Sequence, residues 1–478
     1  MTSRNRKIES RPAAYDTRVR RWHRVFAEVC LTSRKIILTF GVIAMTTTMI
    51  APARMNASVT TAAGNLRIVA LESGGAPAEI RGTYSKIISA VVDNSGDVVF
   101  SANLADSSAS SAILRKSGDS TRVLLRTGDK APDGSTYKTF DEIDRSFYGY
   151  NGADFDLLLF RAELEGGSAS EGLFLLKPSG IEVVALSGGK SPRGFTYKSF
   201  AQPTLIAERG DRGGGYFAAF IAVMEENNKS IITRADFFSA AEETLTTGDR
   251  LADVEVRDFV ISQMGGEAVC AVADLVDASG RNFKEVIFVG GNILSGTNFR
   301  TRGKIEGFPR IKQILTPPAI NFQVSLASVV LKGGMSAIAA RDVLGGAFVI
   351  AKAGDAAPGV PNSTIQSFGP PVSNAVFPFA NSTDRSPSGI VSVVNLSGGR
   401  SALWLWTRKV AFPGPDIFQT RLALVEGDTT TDGQVMHNFS PVKLSDKGTL
   451  LLRGTLGEGS AAHEGLFVID GLFDEQPH

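Results

Sequence analysis

Loop aspartates are the first residues in this sequence whose type could do chemistry, either by binding a cation or by acting as general acids and bases. They fall among turn-forming residues at Asp93, Asp97, Asp129, Asp133, Asp249 and Asp355. A calcium loop requires a dense alternation of acidic residues, which these positions lack. Aspartate in such places commonly accepts hydrogen bonds from its own backbone. We therefore interpret these six as turn-forming residues.

Histidine could supply a metal ligand or a general base, and the chain has four. They are His23, His437, His463 and His478. None has the H-x-x-x-H or H-E-x-x-H spacing of a metal site. The sequence also lacks a phosphate loop, a dinucleotide fingerprint, a G-x-S-x-G elbow and paired catalytic carboxylates. It therefore predicts no catalytic, cofactor-binding or metal residue and no cofactor.

Cysteine could act as a nucleophile, and the chain has Cys30 and Cys270. Two cysteines make neither a disulfide framework nor a cysteine-based zinc site. Cys270 stands in EAVCAVADL, a run of small apolar residues. This context indicates a buried strand residue rather than a reactive thiol.

Composition and charge narrow the class of protein. The 478 residues are 43% hydrophobic and 21% charged, which is typical of a folded chain. The net charge is +1, but residues 1–35 hold ten Lys/Arg against three Asp/Glu, which leaves a net −6 for the rest. A slightly acidic body argues against a nucleic-acid partner, because phosphate binding requires a basic face.

The N-terminal segment has the order of a secretory signal peptide. A basic flank precedes the uncharged run Ile36–Ala53, which ends in Ala-Pro-Ala. Cleavage is expected after Ala53 or after Ala57, so residues 1–57 form a leader. The alternative is an uncleaved signal anchor, because 18 uncharged residues approach the ~20 that span a bilayer. Both readings place the body outside the cytoplasm: periplasmic, secreted or envelope-associated.

Seven repeated units follow from Leu66 onward. They open at Ile68, Val123, Val183, Thr244, Ile293, Val349 and Ala423. Their spacing runs from 49 residues, between Thr244 and Ile293, to 74 residues, between Val349 and Ala423. The fifth unit is degenerate, and only Gly303, Ile305 and Phe308 hold its register. A period of this length marks a propeller, a solenoid or an array.

Each unit has the pattern of about four short strands. An apolar run such as Val123–Leu125 ends at Gly-Asp, where glycine permits a positive φ. A proline-containing loop then leads into a strand with Tyr137 and Phe140 inward. Next come a hairpin turn, at Asp93–Gly96 and at corresponding positions 386–389 and 445–448, and two further strands.

Four antiparallel strands per unit are the content of one propeller blade. No helical periodicity follows Ala57, which excludes a solenoid of helix pairs. The sequence thus predicts an all-β fold, a β-propeller of about seven four-stranded antiparallel blades over residues 58–473, with a tail at 474–478. A propeller of six or eight blades remains an alternative because the fifth unit is degenerate.

The pairing of a G-D-x-A-P-G-like loop with an Asn/Asp-x-x-Gly-x-x-x-Phe strand opener resembles a known family. These are exported bacterial tandem-repeat proteins with an N-x-x-G-x-x-x-F signature and varied C-terminal anchors. The segment Asp93–Phe100 is the closest match, whereas the copies at 386–393 and 445–452 depart at their first and last positions. The resemblance implies export and a propeller-like fold, and it brings no activity with it.

Two hypotheses about function compete. The first is a monomeric, non-enzymatic binding or surface-associated module whose extracellular or envelope ligand is a protein or a glycan. The second is a hydrolase or lyase acting on glycans, with one carboxylate per blade at a central mouth. Contact with a membrane is expected only through the N-terminal segment. A further expectation is that a strand within residues 58–71 joins the sheet formed by residues 423–470 and closes the ring.

Overall fold

A computed structural model of the chain describes most of the repeat region. The described residues are 57–58, 66–146, 157–208, 215–235, 241–251, 253–265, 268–290, 293–305, 307–315, 319–321, 324–342, 347–374, 388–409, 417–429, 434–445, 447–457, 459 and 462–473. The signal segment Ile36–Ala53, His23, Cys30, His478 and the tail 474–478 lie outside them. All described residues belong to the second of two units, Met55–His478.

Every regular element among the described residues is a β-strand. The two strands nearest the N-terminus are β1 (Ala57–Ser58) and β2 (Leu66–Leu71). The first blade contains β3 (Thr83–Val92), β4 (Val98–Ala105), β5 (Ser111–Ser117) and β6 (Ser120–Arg126). The second contains β7 (Thr136–Ser146), β8 (Leu157–Glu165), β9 (Glu171–Lys177) and β10 (Gly180–Leu186). The third contains β11 (Tyr197–Glu208), β12 (Gly215–Met224), β13 (Lys229–Ala235) and β14 (Glu242–Thr246).

The next three blades carry small additions to the four-stranded plan. The fourth contains β15 (Arg250–Leu251), β16 (Val254–Gly265), β17 (Ala268–Asp277), β18 (Asn282–Gly290) and β19 (Ile293–Arg300). The fifth contains β20 (Ile311–Ile314), β21 (Ala319–Asn321), β22 (Val324–Leu331), β23 (Ser336–Asp342) and β24 (Ala347–Lys352). The sixth contains β25 (Ile365–Phe368), β26 (Val372–Ser373), β27 (Ser388–Leu396), β28 (Ser401–Lys409) and β29 (Ile417–Val425), and β1 pairs with β29 in parallel.

The seventh blade is built from both ends of the repeat region. Its first three strands are β30 (Met436–Leu444), β31 (Leu450–Leu456) and β32 (His463–Ile469). Its outer strand is β2, which pairs antiparallel with β32 from Leu66 opposite Ile469 to Leu71 opposite Gly465. The expected closure by an N-terminal strand is therefore confirmed, and the fold is an all-β propeller of seven blades.

The sequence units and the blades are out of phase by one strand. The run around Val123, which opens the second unit, is β6, the outer strand of the first blade. The strand with Tyr137 and Phe140 that follows is β7, the inner strand of the second blade. Each unit thus links two blades, and the outer strand of the first unit, β2, has its place in the last blade.

The core lies between neighbouring blades. Val99 and Ile113 of the first blade share one cluster with Tyr137, Phe140 and Phe160 of the second, and all five are buried. Such clusters recur around the ring because a blade cannot bury both sheet faces alone. The inner strands β3, β7, β11, β16, β21, β26 and β30 contact one another in this order, and β30 returns to β3.

The turns follow the expected glycine chemistry with one exception. The Gly-Asp turns have positive φ at Gly128, Gly248, Gly354 and Gly427. Gly96 and Gly448 also have positive φ, as the hairpin-turn pattern predicts. The third predicted copy is wrong: Gly389 lies within β27, paired with Thr407 and packed against Phe473, which leaves no room for a side chain.

Candidate functional site

The aspartates of the Gly-Asp turns are committed to their own backbone. Each accepts a hydrogen bond from the amide three residues earlier, with Oδ2 at 2.8 to 3.0 Å: Asp129 from Arg126, Asp249 from Thr246, Asp355 from Lys352 and Asp428 from Val425. Asp93 similarly accepts from the amides of Ser95 and Asp97, and Asp133 accepts from the amide and hydroxyl of Ser135. The turn-forming interpretation of these residues is confirmed.

Asp97 has a different role from its neighbours. Its carboxylate lies 2.7 Å from Nη2 of Arg115 on the third strand of the first blade. This ion pair links the first hairpin of the blade to the strand beside it. No group of three or more His, Cys, Asp or Glu side chains among the described residues could hold a metal ion.

The two described histidines lie apart. His437 is half-buried on β30, with Nδ1 3.7 Å from Oε1 of Glu426, and His463 is exposed at the start of β32. Cys270 is fully buried on β17 among apolar residues of the fourth and fifth blades. Burial raises the pKa of its thiol from 9.0 to about 12, so the thiol stays protonated and unreactive near neutral pH. The expectation of a buried strand residue is confirmed.

Polar side chains on the second strands bind the inner strand of the next blade. Arg161 donates to the carbonyl of Phe200 at 2.6 Å and to Asp141 at 2.8 Å. Ser101 donates to the carbonyl of Asp141 at 2.6 Å, and Arg453 of the last blade donates to the carbonyl of Ile87 at 2.9 Å. Apart from the Arg161–Asp141 bond, which lies within the second blade, these bonds cross from the first to the second blade, from the second to the third, and from the seventh to the first at the closure.

A second set of bonds follows the bulges of the inner strands. Glu142 accepts from the amide of Gln202 at 2.6 Å, and Gln202 in turn accepts from the amide of Ile261 at 2.7 Å. The three residues belong to the second, third and fourth blades. Glu142 and Gln202 lie where the register of their inner strands shifts, and each side chain there binds the backbone of the next blade.

The register of the inner strands places one residue per blade at an equivalent position, which we call the inner layer. Each of these residues pairs with the equivalent residue on the second strand of its own blade. The seven residues are Val91, Asp144, Thr204, Gln263, Ala319, Val372 and Lys443. The layer holds one carboxylate, one lysine and no aromatic residue. A glycan-cleaving site with one carboxylate per blade is not the arrangement found in this layer.

Asp144 forms bonds with two other residues of the inner layer, Lys443 and Thr204. Its Oδ1 lies 3.1 Å from Nζ of Lys443, and its Oδ2 accepts from the hydroxyl of Thr204 at 3.1 Å and the amide of Leu205 at 3.0 Å. Asp144 is 6% exposed, so its charge is balanced inside the ring rather than offered to solvent. The group joins the second, third and seventh blades.

A concentration of exposed cations without an ion pair among the described residues lies elsewhere, between the fourth and fifth blades. We call it the basic loop and define it by five exposed cations: Arg302, Lys304 and Arg310 between β19 and β20, Lys312 on β20, and Lys332 on the turn after β22. The amide of Lys332, on the neighbouring loop of the fifth blade, donates to the carbonyl of Arg310 at 2.7 Å, which brings the two loops together. No carboxylate of the described residues lies within ion-pairing distance of the five.

Sequence reasoning missed both of these features. The inner layer leaves a faint signal, because Asp144, Thr204 and Lys443 each stand four residues after the repeated phenylalanine at 140, 200 and 439. The basic loop coincides with the degenerate fifth unit, whose loss of the repeat pattern is itself the signal. In both cases, the sequence signal for the feature is a residue or segment that differs from the repeat pattern.

The fold and these features define the class of this protein as a seven-bladed β-propeller. A family of unknown function, DUF7453, matches residues 40–152, which is less than half of the chain. No curated protein matches the sequence. No helix in the described part of the chain is long and apolar enough to cross a membrane.

Several solved structures are similar to the chain at low identity. The WD40 domain of SCAP from fission yeast is 9% identical, with a TM-score of 0.37 over 88% of this chain and 91% of that one. The Aleuria aurantia lectin in complex with a fucosyl disaccharide is 11% identical, with a TM-score of 0.32 over 71% and 94%. AofleA from Arthrobotrys oligospora is 10% identical, with a TM-score of 0.32 over 75% and 92%. At this level of likeness, their ligands say nothing about those of the present chain.

Proposed function

We propose that this protein is an exported propeller that binds a protein or glycan outside the cytoplasm without transforming it. The observation that carries the proposal is the inner layer: its one carboxylate, Asp144, is neutralised by Lys443 and bonded by Thr204 and Leu205. A glycan hydrolase or lyase needs carboxylates free to exchange protons with the substrate. Asp144, Arg161 and Arg453 instead form bonds that join neighbouring blades.

Conserved turn and core chemistry across the repeats also supports a binding role. The turn aspartates bind their own backbone, and Tyr137 and Phe140 fill the space between blades. Such residues build a rigid ring whose loops are free to vary. This is the architecture expected of the exported tandem-repeat proteins with an N-x-x-G-x-x-x-F signature, in which we place the chain as part of this proposal.

Export rests on the order of charge and hydropathy before Ala53. We propose cleavage after Ala53 in preference to Ala57, because β1 spans Ala57 and Ser58 and pairs with Thr420 and Arg421. A cut after Ala57 would divide this strand. Intact mass of the exported form tests the point: a chain beginning at Arg54 is expected, and a full-length chain in the membrane fraction would instead indicate a signal anchor.

Binding without turnover is tested with protein purified after expression of the full chain. An array of neutral and acidic glycans and of envelope proteins should show retention of at least one ligand class. Mass spectrometry of the eluted ligand should then show it unchanged in mass. Shortened or unsaturated glycan products would instead establish the hydrolase or lyase, and retention of nothing on the array would remove the support for a glycan or envelope-protein ligand.

A further inference from the structure

The basic loop adopts the same turn as its counterparts but without their residues. The amide of Arg302 donates to the carbonyl of Ile311, as the amide of Gly128 does to Tyr137. Arg302 has φ of 70°, whereas the Gly-Asp turns have glycine at this position, with φ of 91 to 94° at Gly128, Gly248, Gly354 and Gly427. A left-handed backbone is unfavourable for a residue with a side chain. Arg302 thus places a charged side chain at a turn position that holds glycine in these four turns and serine, Ser73, between the seventh and first blades.

The same loop lacks the carboxylate that balances charge in other turns. Asp129 pairs with Arg126 at 3.4 Å, and Asp355 pairs with Lys352 at 2.6 Å. The equivalent of these aspartates is Gly303, so Arg300 has no such partner in its own turn and lies across from Glu285 in the sheet instead. The turn carries additional positive charge and has lost its usual negative charge.

Cations in the corresponding loops between the first, second and third blades have polar partners, whereas those of the basic loop have no ion pair among the described residues. Lys130 donates to Thr136, Lys190 to Thr196, and Arg193 pairs with Asp249 at 3.1 Å. In sequence, the one acidic residue between positions 300 and 312 is Glu306, against five Lys/Arg. This concentration stands out in a chain whose residues after position 35 have a net charge of −6.

The two large apolar side chains of the basic loop, Ile305 and Phe308, pack toward the core. Ile305 is 1% exposed, and Phe308 is half-buried against the core of the fourth and fifth blades. The described loop therefore offers no fully exposed aromatic ring for stacking on bases, and Pro309 is its one exposed apolar residue. What it offers is positive charge with exposed polar groups, such as Gln313, beside it.

We propose that the basic loop binds an acidic polysaccharide, a glycan chain with carboxylate or sulfate groups along it. This proposal rests on the binding function proposed above and gives it a site and a ligand class. Several cations close together bind a polyanion because association releases its condensed counterions. The absence of a stacking surface on the described loop favours a glycan over single-stranded nucleic acid.

The test measures affinity for heparin, polygalacturonate and neutral dextran by titration at low and high salt, with protein purified after expression of the full chain. The loop variant combines Lys304→Gln, Arg310→Gln and Lys332→Gln. The control variant combines Lys86→Gln, Arg122→Gln and Lys198→Gln, which removes the same number of exposed cations from the first to third blades. Far-ultraviolet circular dichroism and thermal unfolding establish that both variants fold.

The expected result is binding of at least one acidic polysaccharide that weakens at high salt and falls at least tenfold in the loop variant but less than twofold in the control. Neutral dextran should not bind. Equal losses in the two variants would overturn the site, since they would indicate an effect of overall charge. Binding of a glycan with no response to the loop variant would also overturn the site and leave the proposed function standing.

Two further probes test whether the basic loop prefers an acidic polysaccharide, a nucleic acid or an anionic membrane. Double-stranded DNA of mixed sequence and vesicles containing phosphatidylglycerol are titrated at the same salt concentration. Tighter binding of DNA or vesicles than of either acidic polysaccharide, lost in the loop variant, would overturn the glycan assignment. Failure of all polyanions to bind at low salt would overturn the proposal, whereas the array of glycans and envelope proteins decides the proposed function separately.

Discussion

Nζ of Lys443 lies 3.1 Å from Oδ1 of Asp144, although the two residues are 299 positions apart and belong to the seventh and second blades. The first blade stands between these two in the ring, so the ion pair reaches past it. Asp144 also accepts from Thr204 of the third blade. One carboxylate thereby joins three blades that local pairing within sheets does not connect.

Replacing Lys443 with methionine should destabilise the ring by about 2 kcal/mol, because a buried carboxylate loses its counter-charge. The value lies below that for a fully buried pair, since the Lys443 side chain is 32% exposed. Chemical denaturation measures this loss in the free energy of unfolding. Lys447→Met is the control, because Lys447 is exposed on the adjacent turn and should stay within about 0.5 kcal/mol of the wild type. Adding Asp144→Asn to Lys443→Met should recover part of the loss, and equal stability of Lys443→Met and Lys447→Met would deny the pair a structural role.

Arg302→Gly should stabilise the fold while it weakens binding to acidic polysaccharides. Relief of the left-handed backbone, less the added freedom of glycine in the unfolded chain, is worth about 1 kcal/mol. Ser73, with φ of 67°, occupies the same turn position between the seventh and first blades, far from the basic loop. Ser73→Gly should therefore give a similar gain in the denaturation midpoint with unchanged binding. A loss of stability in Arg302→Gly would mean that the arginine is retained for packing.

The thiol of Cys270 should make stability fall above pH 9. Burial raises its pKa from 9.0 in the unfolded chain to about 12 in the fold, so the folded state holds a proton that the unfolded state releases. The stabilising effect is complete below pH 9 and is lost as pH rises toward 12, by about 1 kcal/mol between pH 9 and pH 10. Tyr84 and Tyr197, whose pKa values burial raises from 10.0 to about 12, add the same trend above pH 10.

Cys270→Ala separates these contributions. The variant should lose the pH dependence between 9 and 10 and keep the tyrosine contribution above it. Thiol labelling of the wild type should be slow in the native state and fast in denaturant. Fast native labelling at pH 8 would place the thiol at the surface and contradict the burial that underlies both expectations.

Repetition explains which parts of this fold were predictable. Seven copies of one turn and one strand pattern average out local ambiguity, so Gly128 and Phe140 could be placed from their counterparts. Asp144 and Lys443 could not, because their partnership depends on the curvature that brings the second and seventh blades together at the axis. Arg302 was likewise hidden, since a charged residue in a degenerate repeat has no counterpart from which to infer its backbone.

The phase of the repeat was the other limit. A sequence shows where a pattern recurs but not which strand of the pattern begins a blade. The run at Val123 and the run at Thr136 are consecutive in the chain, yet the sheet boundary falls between them. The closing role of the N-terminal strand β2 was predictable from the sequence. It has the pattern of an outer strand, but no other strands precede it in the repeat region with which it could form a blade.

Closure of the ring by β2 gives the last prediction. A β-carbon at Gly465 would lie 2.5 Å from the carbonyl oxygen of Ala70 and 2.7 Å from a methyl carbon of Leu71. Gly465→Ala should therefore push β2 from β32 and cost about 2 kcal/mol, with faster hydrogen exchange over 66–71. Gly75→Ala is the matched control, because a β-carbon there meets nothing within 4 Å.

Deletion of residues 54–71 extends the same test. It removes β1 and β2 and leaves the edges of β29 and β32 unpaired, so we expect loss of cooperative unfolding or aggregation. Removal of residues 474–478 should leave the transition unchanged. Two results together would contradict the closure model: the deletion variant unfolds cooperatively at the wild-type denaturant concentration, and Gly465→Ala has unchanged stability. They would show that the first six blades and strands β30 to β32 are stable without the N-terminal strand.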